Sequence, residues 1–232
     1  TRHGYDYLVG EWMDEAIAKA PYVTVDAEWD HAGKVTLVGM GYPGSTIMQW
    51  APTSIEEGFI AYYRRMVAAI PTVFWNAKAD IPVVAANLGV QWSEYWTVHD
   101  AMQAHSVLWS EWPHDLDFAM SLYGTTNRTK HLQHTDPLGY NAGDVKGTID
   151  AWEALSNELC RDHGAYCVYR DRMAILPHIA RAESAGIRVD RGAVESRLRL
   201  YATRVQEAQH IAHVACGFPI NIGSDDQVRH WL

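Results

Sequence analysis

The stretch YVTVDAEWD, residues 22–30, decides the fold prediction because it combines a β-strand pattern with two closely spaced carboxylates. Valine and threonine favour strands, and successive side chains of a strand point to opposite faces. Asp26 and Glu28 are therefore predicted to share one face of the strand. Two adjacent like charges are unfavourable unless a cation neutralises them, although two solvated acids at a strand end are the simpler interpretation. Residues further along the chain help to distinguish the two.

The composition is that of an ordinary globular chain for which we expect no membrane partner. Of its 232 residues 48% are hydrophobic and 20% are charged, and no apolar run approaches the length that a bilayer requires. The net charge of −9 argues against general electrostatic attraction to nucleic acid, but it does not exclude an enzyme whose acidic site binds metal ions. Three cysteines without a CxxC pair favour a reducing intracellular location, in the cytoplasm or nucleoid of a cellular or viral system.

The spacing of apolar residues predicts an α/β fold with a mixed sheet, helices on both of its sides, and a helical tail. Strands are predicted at 22–29, 34–42, 45–51, 72–75 and 94–98, and the Pro-Gly at 43–44 indicates a tight antiparallel turn. Helices are predicted at 53–70, 99–109 and 114–124, and Ser54 and Glu57 have the capping-box spacing. The strands at 22–29, 34–42 and 45–51 are the first predicted elements, and no helix is predicted before residue 22.

A long helix is predicted to begin at Asp136-Pro137, with aspartate as the N-cap and proline at the first helical position. It contains three glycines at a period of four, which share one face: Gly139, Gly143 and Gly147. Each glycine inside a helix costs roughly 0.5–1 kcal/mol relative to alanine, so this stripe predicts that another element approaches the helix closely. Tyr140 and Asp144 lie beside the stripe and share a face, because they are four residues apart.

Four acidic residues and one tyrosine follow a recognisable order along the chain. In that order they are Asp26, Glu28, Asp80, Tyr140 and Asp144. Each one alone is weak support for a site, because an isolated acid is usually a helix cap or a solvated side chain. Together, on a leading strand, after a later strand and on a helix, they resemble the DEDDy group of 3′→5′ exonucleases. That group has a ribonuclease-H-like (DnaQ-like) core, which the resemblance implies for this chain.

The resemblance implies a two-metal catalytic site. Its metal-binding carboxylates would be Asp26, Glu28, Asp80 and Asp144. Tyr140 would help position the attacking water, and Asn76 in WNAKADI would lie near the terminal nucleotide of the substrate. Carboxylate oxygens suit Mg²⁺ or Mn²⁺, and two such ions can activate water and stabilise the leaving oxygen in phosphodiester hydrolysis.

Longer segments resemble family A DNA polymerases over nearly the whole chain from residue 22 onward. HDLDFAMSLY, residues 114–123, is similar to a helix between the second and third exonuclease motifs, and the run ending in GIRVD, residues 186–190, is similar to the entry into the thumb. The resemblance implies a proofreading exonuclease domain at 1–165, and a linker helix with the beginning of a thumb at 166–232. It also implies that the partners are the 3′ end of single-stranded or frayed DNA and a polymerase domain of the full-length protein.

The contacts to the substrate are less defined than the metal ligands. Trp29 stands where relatives usually carry a small hydroxyl residue, and Ala79 stands where they often carry an aromatic one. Trp29 and Phe118 are candidates for stacking on the terminal base, although packing inside the protein explains either aromatic side chain equally well.

Two other functions stay open. A freestanding DEDDy nuclease that acts on RNA, similar to RNase D, would use the same carboxylates, but the thumb-like tail counts against it. A catalytically inactive DNA-binding scaffold is the other, and the intact set of five site residues counts against that. A zinc site at Cys160, His163 and Cys167 is not predicted, because the spacing is unusual and a fourth ligand is missing.

Overall fold

The computed structural model describes residues 2–51, 57–124 and 129–232, without the side chains of residues 2–8 and 57. The strands are β1 (Val23–Trp29), β2 (Val35–Gly41), β3 (Met48–Trp50), β4 (Thr72–Phe74) and β5 (Val98–Asp100). The helices are α1 (Arg2–Lys19), α2 (Glu57–Ala69), α3 (Ala77–Leu88), α4 (Ala101–Leu108), α5 (Leu116–Tyr123), α6 (Pro137–Arg161), α7 (His163–Ala185), α8 (Arg191–Cys216) and α9 (Asp225–Trp231). Among the described residues, no helix combines the length and apolarity needed to span a bilayer.

The strands form one mixed sheet in the order β3-β2-β1-β4-β5, so β1 lies at its centre. β2 pairs antiparallel with both β1 and β3, whereas β4 pairs parallel with both β1 and β5. Antiparallel neighbours can be joined by short turns, but parallel neighbours need a crossover such as the one that α3 provides between β4 and β5. The predicted mixed sheet and the predicted antiparallel pairing of the second and third strands are confirmed.

The two faces of β1 contribute to different layers of the molecule. Three of its apolar residues belong to the core cluster formed with α1, α2 and α3: Val23, Val25 and Ala27. Thr24 points to the other face, where its hydroxyl lies 3.5 Å from the carbonyl oxygen of Val145 in α6. Because side chains alternate along a strand, Asp26 and Glu28 follow Thr24 on the face toward α6.

Helix α1 was not predicted from the sequence. Four of its residues are buried in the core: Val9, Trp12, Met13 and Ala16. The indole nitrogen of Trp12 also donates a hydrogen bond to the carbonyl oxygen of Thr46, at 3.2 Å. Glycines at positions 4 and 10 weaken the helical signal, because glycine has a low helix propensity. Gly10 has a packing reason, since a Cβ there would lie 2.7 Å from the ring of Tyr62 in α2.

The prediction of a strand at 94–98 is wrong over most of its length, because β5 begins only at Val98. The preceding residues Trp92–Glu94 form a 3₁₀ turn, in which the backbone amide of Gln91 donates to the Glu94 carboxylate at 2.8 Å. A side chain that satisfies the backbone locally competes with sheet formation, and here it outweighs the strand propensity of the aromatic residues. Asp100 then ends β5 and caps α4 by accepting from the amide of Gln103 at 2.9 Å.

The other predicted helices of the α/β region are confirmed close to their predicted bounds. Asp136 caps α6 with Pro137 at the first helical position, as the sequence predicted, and the structure shows in addition that Asp115 caps α5. The capping box predicted at Ser54 and Glu57, before α2, lies outside the residues and side chains that the structure describes.

The glycine stripe of α6 has close neighbours, as predicted. A Cβ on Gly143 would lie 2.2 Å from Cγ2 of Thr129, and one on Gly147 would lie 2.6 Å from Cγ of Met120 in α5. Both distances are shorter than carbon–carbon contact allows. The absence of side chains at these two positions therefore lets Met120 of α5 and Thr129 approach the helix that contains Asp144.

The chain divides into two compact units, Thr1–Ser184 and Ala185–Leu232. The first unit includes almost all of α7, whose buried Tyr169 accepts a hydrogen bond from the backbone amide of Asp100 at 3.2 Å. In the second unit, α8 begins at the N-cap Asp190 and ends at Gly217, whose φ of 76° stops the helix. The assignment of residues 1–165 to an exonuclease domain and of 166–232 to a linker and thumb stays a prediction.

Candidate active site

β1 and α6 bring three carboxylates together on one side of the sheet. Oxygen atoms of Asp26, Glu28 and Asp144 all lie within 4.8 Å of one another. Among the described residues, they form the one group of three or more acidic, histidine or cysteine side chains close enough to hold a metal ion. The structure thus brings together three of the four predicted metal-binding carboxylates, and their role as metal ligands stays a prediction.

Asp80 lies at the edge of this group rather than in it. It occupies the first turn of α3 and is buried, with 6% of its surface exposed. Its Oδ1 accepts a hydrogen bond from the backbone amide of Ala27 at 3.1 Å, so it is held against the strand between Asp26 and Glu28. Burial raises the pKa of Asp80 to about 8, and the charges of Asp100 and Glu28 add to the rise.

The electrostatics of the cluster are unfavourable when all its members are charged. Burial raises the pKa of Asp26 well above its usual range, and the charges of Asp80, Glu28 and Asp144 raise it further. Burial, assisted by Asp144, raises the pKa of Glu28 to about 7. Burial also raises the pKa of Asp144, against the opposing effect of hydrogen bonds from Tyr140 and Thr129. Such a cluster stores charge repulsion that a bound cation would relieve.

The donor set fits a divalent cation of the Mg²⁺ or Mn²⁺ type. The cluster offers carboxylate oxygens alone, which are the ligands that these ions prefer over thiolate or imidazole. In the described part of the chain, no lysine or arginine forms an ion pair with any of the three carboxylates, so no cation of the protein neutralises them at contact distance. A group of acidic residues that can bind metal is thus present.

Tyr140 lies one helical turn before Asp144, on the same side of α6. Burial raises the pKa of its phenol above the usual range, and the neighbouring Asp144 raises it further. The hydroxyl therefore keeps its proton at neutral pH and acts as a hydrogen-bond donor toward the cluster. This is the behaviour expected of a residue that orients a polar group, such as a water molecule, beside the carboxylates.

Two further residues hold the carboxylates in place, and the sequence analysis missed both. The side-chain amide of Asn141 donates to Oδ2 of Asp26 at 2.7 Å, and the hydroxyl of Thr129 donates to Oδ1 of Asp144 at 3.0 Å. Asn141 is fully buried, although an asparagine next to Tyr140 has no special meaning in the sequence. The one feature of the sequence that could have indicated Asn141 is that a polar side chain lies on the face of the predicted helix that packs against the sheet.

The carboxylates lie in an open cleft of about 540 Å³. Trp29, with 42% of its surface exposed, and Asn76 both line it, and the substrate contacts predicted for them stay predictions. Oδ1 of Asn76 is buried and has no hydrogen-bond partner among the described residues. Lys130 also lines the cleft and is the one lysine or arginine among the described lining residues.

Phe118 has a different position from the other predicted substrate contacts. Its ring packs edge-on against Trp112 and His105, at centroid distances of 6.2 and 6.3 Å. It is not among the described residues that line the cleft, although its neighbours Leu116 and Asp117 are. A role for Phe118 in stacking on a base stays a prediction.

The chain matches no family model and no curated protein, but its fold matches solved structures. The polymerase domain of Pol1 from M. smegmatis, solved with DNA primer-template and dNTP, aligns with 97% of this chain at 20% identity and a TM-score of 0.67. NrnC from Brucella melitensis aligns with 72% of this chain and 87% of its own, at 17% identity and a TM-score of 0.61. RNase D from Escherichia coli, an exoribonuclease, aligns with 75% of this chain and 48% of its own, at 14% identity and a TM-score of 0.61.

These likenesses identify the architecture. The chain has the ribonuclease-H-like, DnaQ-like 3′→5′ exonuclease fold, with a mixed five-stranded sheet followed by a helical segment. The predicted fold class is thereby confirmed. The chain spans only 39% of the length of the Pol1 structure that it matches.

Proposed function

We propose that this chain is a metal-dependent 3′→5′ exonuclease that hydrolyses the terminal phosphodiester of a nucleic-acid strand and releases nucleoside monophosphates. The observation that supports it most directly is the convergence of Asp26, Glu28 and Asp144 within 4.8 Å, inside an open cleft of an exonuclease fold. A cleft open to solvent admits a strand end. The three half-buried acids repel one another when all are charged, so they favour binding of a cation rather than stabilising the fold by themselves.

The positions of the site residues indicate a different role for each of them in metal binding and hydrolysis. Asp26, Glu28 and Asp144 would hold one divalent cation, and Asp80, which is held beside them by the amide of Ala27, would support a second. Bound Mg²⁺ or Mn²⁺ would supply water activation and stabilisation of the leaving oxygen. The protonated hydroxyl of Tyr140 would orient the attacking water.

Other lining residues would position the strand. Asn76, which lines the cleft, would lie near the terminal nucleotide, and Lys130 can attract its phosphate. The exposed face of Trp29 is suited to stacking on a base.

We further propose that the substrate is DNA and that the chain is the proofreading exonuclease of a family A DNA polymerase, joined to the start of its thumb and working inside a cell. The alignment of 97% of this chain with the Pol1 structure, which contains DNA primer-template, supports this assignment. The alignment with RNase D leaves out a quarter of the chain. An RNA exonuclease is the second candidate, because RNase D and this chain share the fold.

The test is degradation of a 5′-labelled single-stranded DNA and an RNA of matching sequence, with Mg²⁺, with Mn²⁺ and with EDTA. We expect a ladder that shortens from the 3′ end of DNA and that EDTA abolishes. Asp26→Asn should reduce the rate at least about 100-fold, because loss of one ligand removes several kcal/mol of metal-dependent stabilisation. Asp30→Asn is the matched control, since Asp30 is exposed at the end of the same strand segment and outside the cleft.

Each result assigns the substrate differently. A preference for RNA over DNA would replace the proofreading assignment by the RNA exonuclease. Hydrolysis that persists in Asp26→Asn would contradict the metal site proposed here. Absence of hydrolysis with either metal, in a protein that still binds the labelled strand, would indicate an inactive scaffold.

A further inference from the structure

A pair of hydrogen-bonded histidines lies at the cleft, and one of the two lines it. The Nδ1 atoms of His105, in α4, and His114, just before α5, are 3.0 Å apart. His105 is fully buried, whereas His114 is half-buried and lines the cleft. Four aromatic rings surround the His105 ring with centroid distances of 6.1–6.4 Å: Trp75, Trp112, Phe118 and Tyr123.

The hydrogen bond between the two rings can have only one direction without leaving a buried donor unsatisfied. A neutral imidazole carries its proton on one nitrogen, so either His105 donates from Nδ1 or His114 does. Nε2 of His105 is buried and has no hydrogen-bond partner among the described residues. If His114 donated, the proton of His105 would lie on that Nε2, and orphaned buried N–H groups are rare because their desolvation is costly. His105 is therefore the donor.

The surroundings keep His105 neutral, as this argument requires. Burial lowers the pKa of His105, and the neighbouring His114 lowers it further, against the smaller opposing effect of Asp115. No described group accepts a hydrogen bond from Nε2 of His105, so a second proton there would have no partner to stabilise it.

The donor direction of His105 fixes the state of His114. Because Nδ1 of His114 accepts, its single proton must lie on Nε2, the atom on the far side of its ring. That atom has no protein partner among the described residues. The backbone of His114 is also held, because the indole nitrogen of Trp75 donates to its carbonyl oxygen at 3.2 Å.

We propose that His114 is a substrate-binding residue that presents an Nε2–H donor to an acceptor oxygen of the nucleic-acid strand, and that His105 is the positioning residue that fixes its tautomer. The proposal rests on the proposed function, since it takes a nucleic-acid strand as the occupant of the cleft. In a cleft lined by several acids, a neutral donor can bind a phosphate or base oxygen without forming an ion pair with the metal ligands.

The tautomers can be measured without any activity. Long-range ¹H–¹⁵N spectra of the ¹⁵N-labelled protein distinguish protonated Nδ1 from protonated Nε2, and spectra of His105→Asn and His114→Gln assign the two rings. We expect His105 with its proton on Nδ1 and His114 with its proton on Nε2. Protonation of His105 at Nε2 would overturn the proposal.

Substitution pairs test the contact to the strand. The amide nitrogen of glutamine matches the position of histidine Nε2, and that of asparagine matches Nδ1. His114→Asn should therefore weaken binding of a fluorescent oligonucleotide in EDTA about tenfold, the value of one hydrogen bond, whereas His114→Gln should stay within about threefold of the wild type. The KM of the exonuclease reaction should change in parallel, with kcat nearly constant.

A second pair of substitutions tests the positioning role of His105. His105→Phe removes the donor and should weaken binding as much as His114→Asn does, whereas His105→Asn keeps a donor at the Nδ1 position and should restore binding. The double variant His105→Phe/His114→Asn should be no weaker than either single variant, because the two residues act as a unit. Thermal unfolding of each variant separates these effects from loss of the fold.

The outcomes of this experiment separate the two proposals. Equal effects of asparagine and glutamine at position 114, or failure of the wild type to bind the oligonucleotide, would overturn the role of His114. Methylphosphonate linkages in the oligonucleotide would abolish the difference between the variants if the acceptor is a phosphate and leave it unchanged if the acceptor is a base. If the tautomers and the binding pattern are as expected but the protein has no hydrolytic activity, the proposed exonuclease function is rejected and the role of His114 in strand binding stands.

Discussion

Lys130 supplies positive charge beside a group of carboxylates that would repel a phosphate. It is exposed, lines the cleft and lies close enough to Asp144 to oppose the rise in the pKa of that carboxyl. We expect Lys130→Gln to weaken strand binding. A plot of the logarithm of the binding constant against the logarithm of the salt concentration should also become less steep by about 0.7, the value of one phosphate contact on a single strand. Titration of a fluorescent oligonucleotide at several salt concentrations measures both.

Lys34→Gln is the control for this prediction, because Lys34 is exposed in the β1–β2 turn and does not line the cleft. Both substitutions remove one positive charge and therefore change the net charge of the protein equally. An equal loss of affinity in both variants would mean that overall charge, and not a contact in the cleft, governs binding.

The ligands of the candidate site could be predicted at the level of single residues, whereas their supporting residues could not. Asp26 and Glu28 share a face because a strand has a period of two, and that period is visible in nine residues of sequence. Asn141, by contrast, matters because its amide meets Asp26 across 115 residues of chain. No local pattern encodes such a contact. The histidine pair is hidden for the same reason, since the spacing of nine positions between His105 and His114 matches no regular period.

At the scale of elements, the glycine at position 143 links the packing of α6 to the geometry of the site. A Cβ on this residue would lie 2.2 Å from Cγ2 of Thr129, so Thr129 would have to move and its hydrogen bond to Asp144 would be lost. We expect Gly143→Ala to reduce exonuclease activity about 10- to 100-fold, since small displacements of catalytic groups have effects of this size. Hydrolysis of the labelled oligonucleotide measures the change.

Gly58→Ala serves as the matched substitution, because a Cβ at Gly58 in α2 meets nothing within 4 Å among the described atoms. It should keep full activity and gain about 0.5–1 kcal/mol of stability from the better helix propensity of alanine. If Gly143→Ala were as active as Gly58→Ala, the contact between Thr129 and Asp144 would have no role in catalysis.

The elements themselves were predictable where their local signals agreed. The helix after Asp136-Pro137 has a cap, a proline at its first position and a sustained period, and it begins where the sequence indicates. Helix α1 lacks such agreement, because Gly10 is required by its contact with Tyr62 and weakens the pattern at the same time. The late start of β5 follows from the hydrogen bond between Gln91 and Glu94, which a strand propensity cannot represent.

At the scale of the whole molecule, the raised carboxyl pKa values make the stability of the metal-free protein depend on pH. The folded pKa is about 7 for Glu28 and about 8 for Asp80, against ordinary values of 4.5 and 3.8. Between about pH 4 and pH 8 the folded state therefore binds protons that the unfolded state has released, and the free energy of unfolding falls as the pH rises through this range. In EDTA, we expect a lower Tm at pH 8 than at pH 5.

Mg²⁺ should reverse this trend, because it binds the deprotonated cluster. We expect Mg²⁺ to raise the Tm more at pH 8 than at pH 5, and Glu28→Gln to reduce both the pH dependence and the Mg²⁺ effect. A Tm shift by Mg²⁺ that is the same at both pH values, or that survives in Glu28→Gln unchanged, would contradict the coupling between the cluster and metal binding.

The outermost strand of the sheet is connected to the first carboxylate through a single amide. Gln49, in the edge strand β3, donates from Nε2 to Oδ1 of Asn141 at 2.9 Å, and Asn141 donates from Nδ2 to Asp26. Because its oxygen is occupied by Gln49, the amide of Asn141 cannot rotate by half a turn, and its dipole keeps the positive end toward Asp26. The orientation of that dipole favours the ionised carboxylate in which metal binding begins. Gln49, a residue of the sheet edge, thus fixes the direction of the amide dipole that faces Asp26.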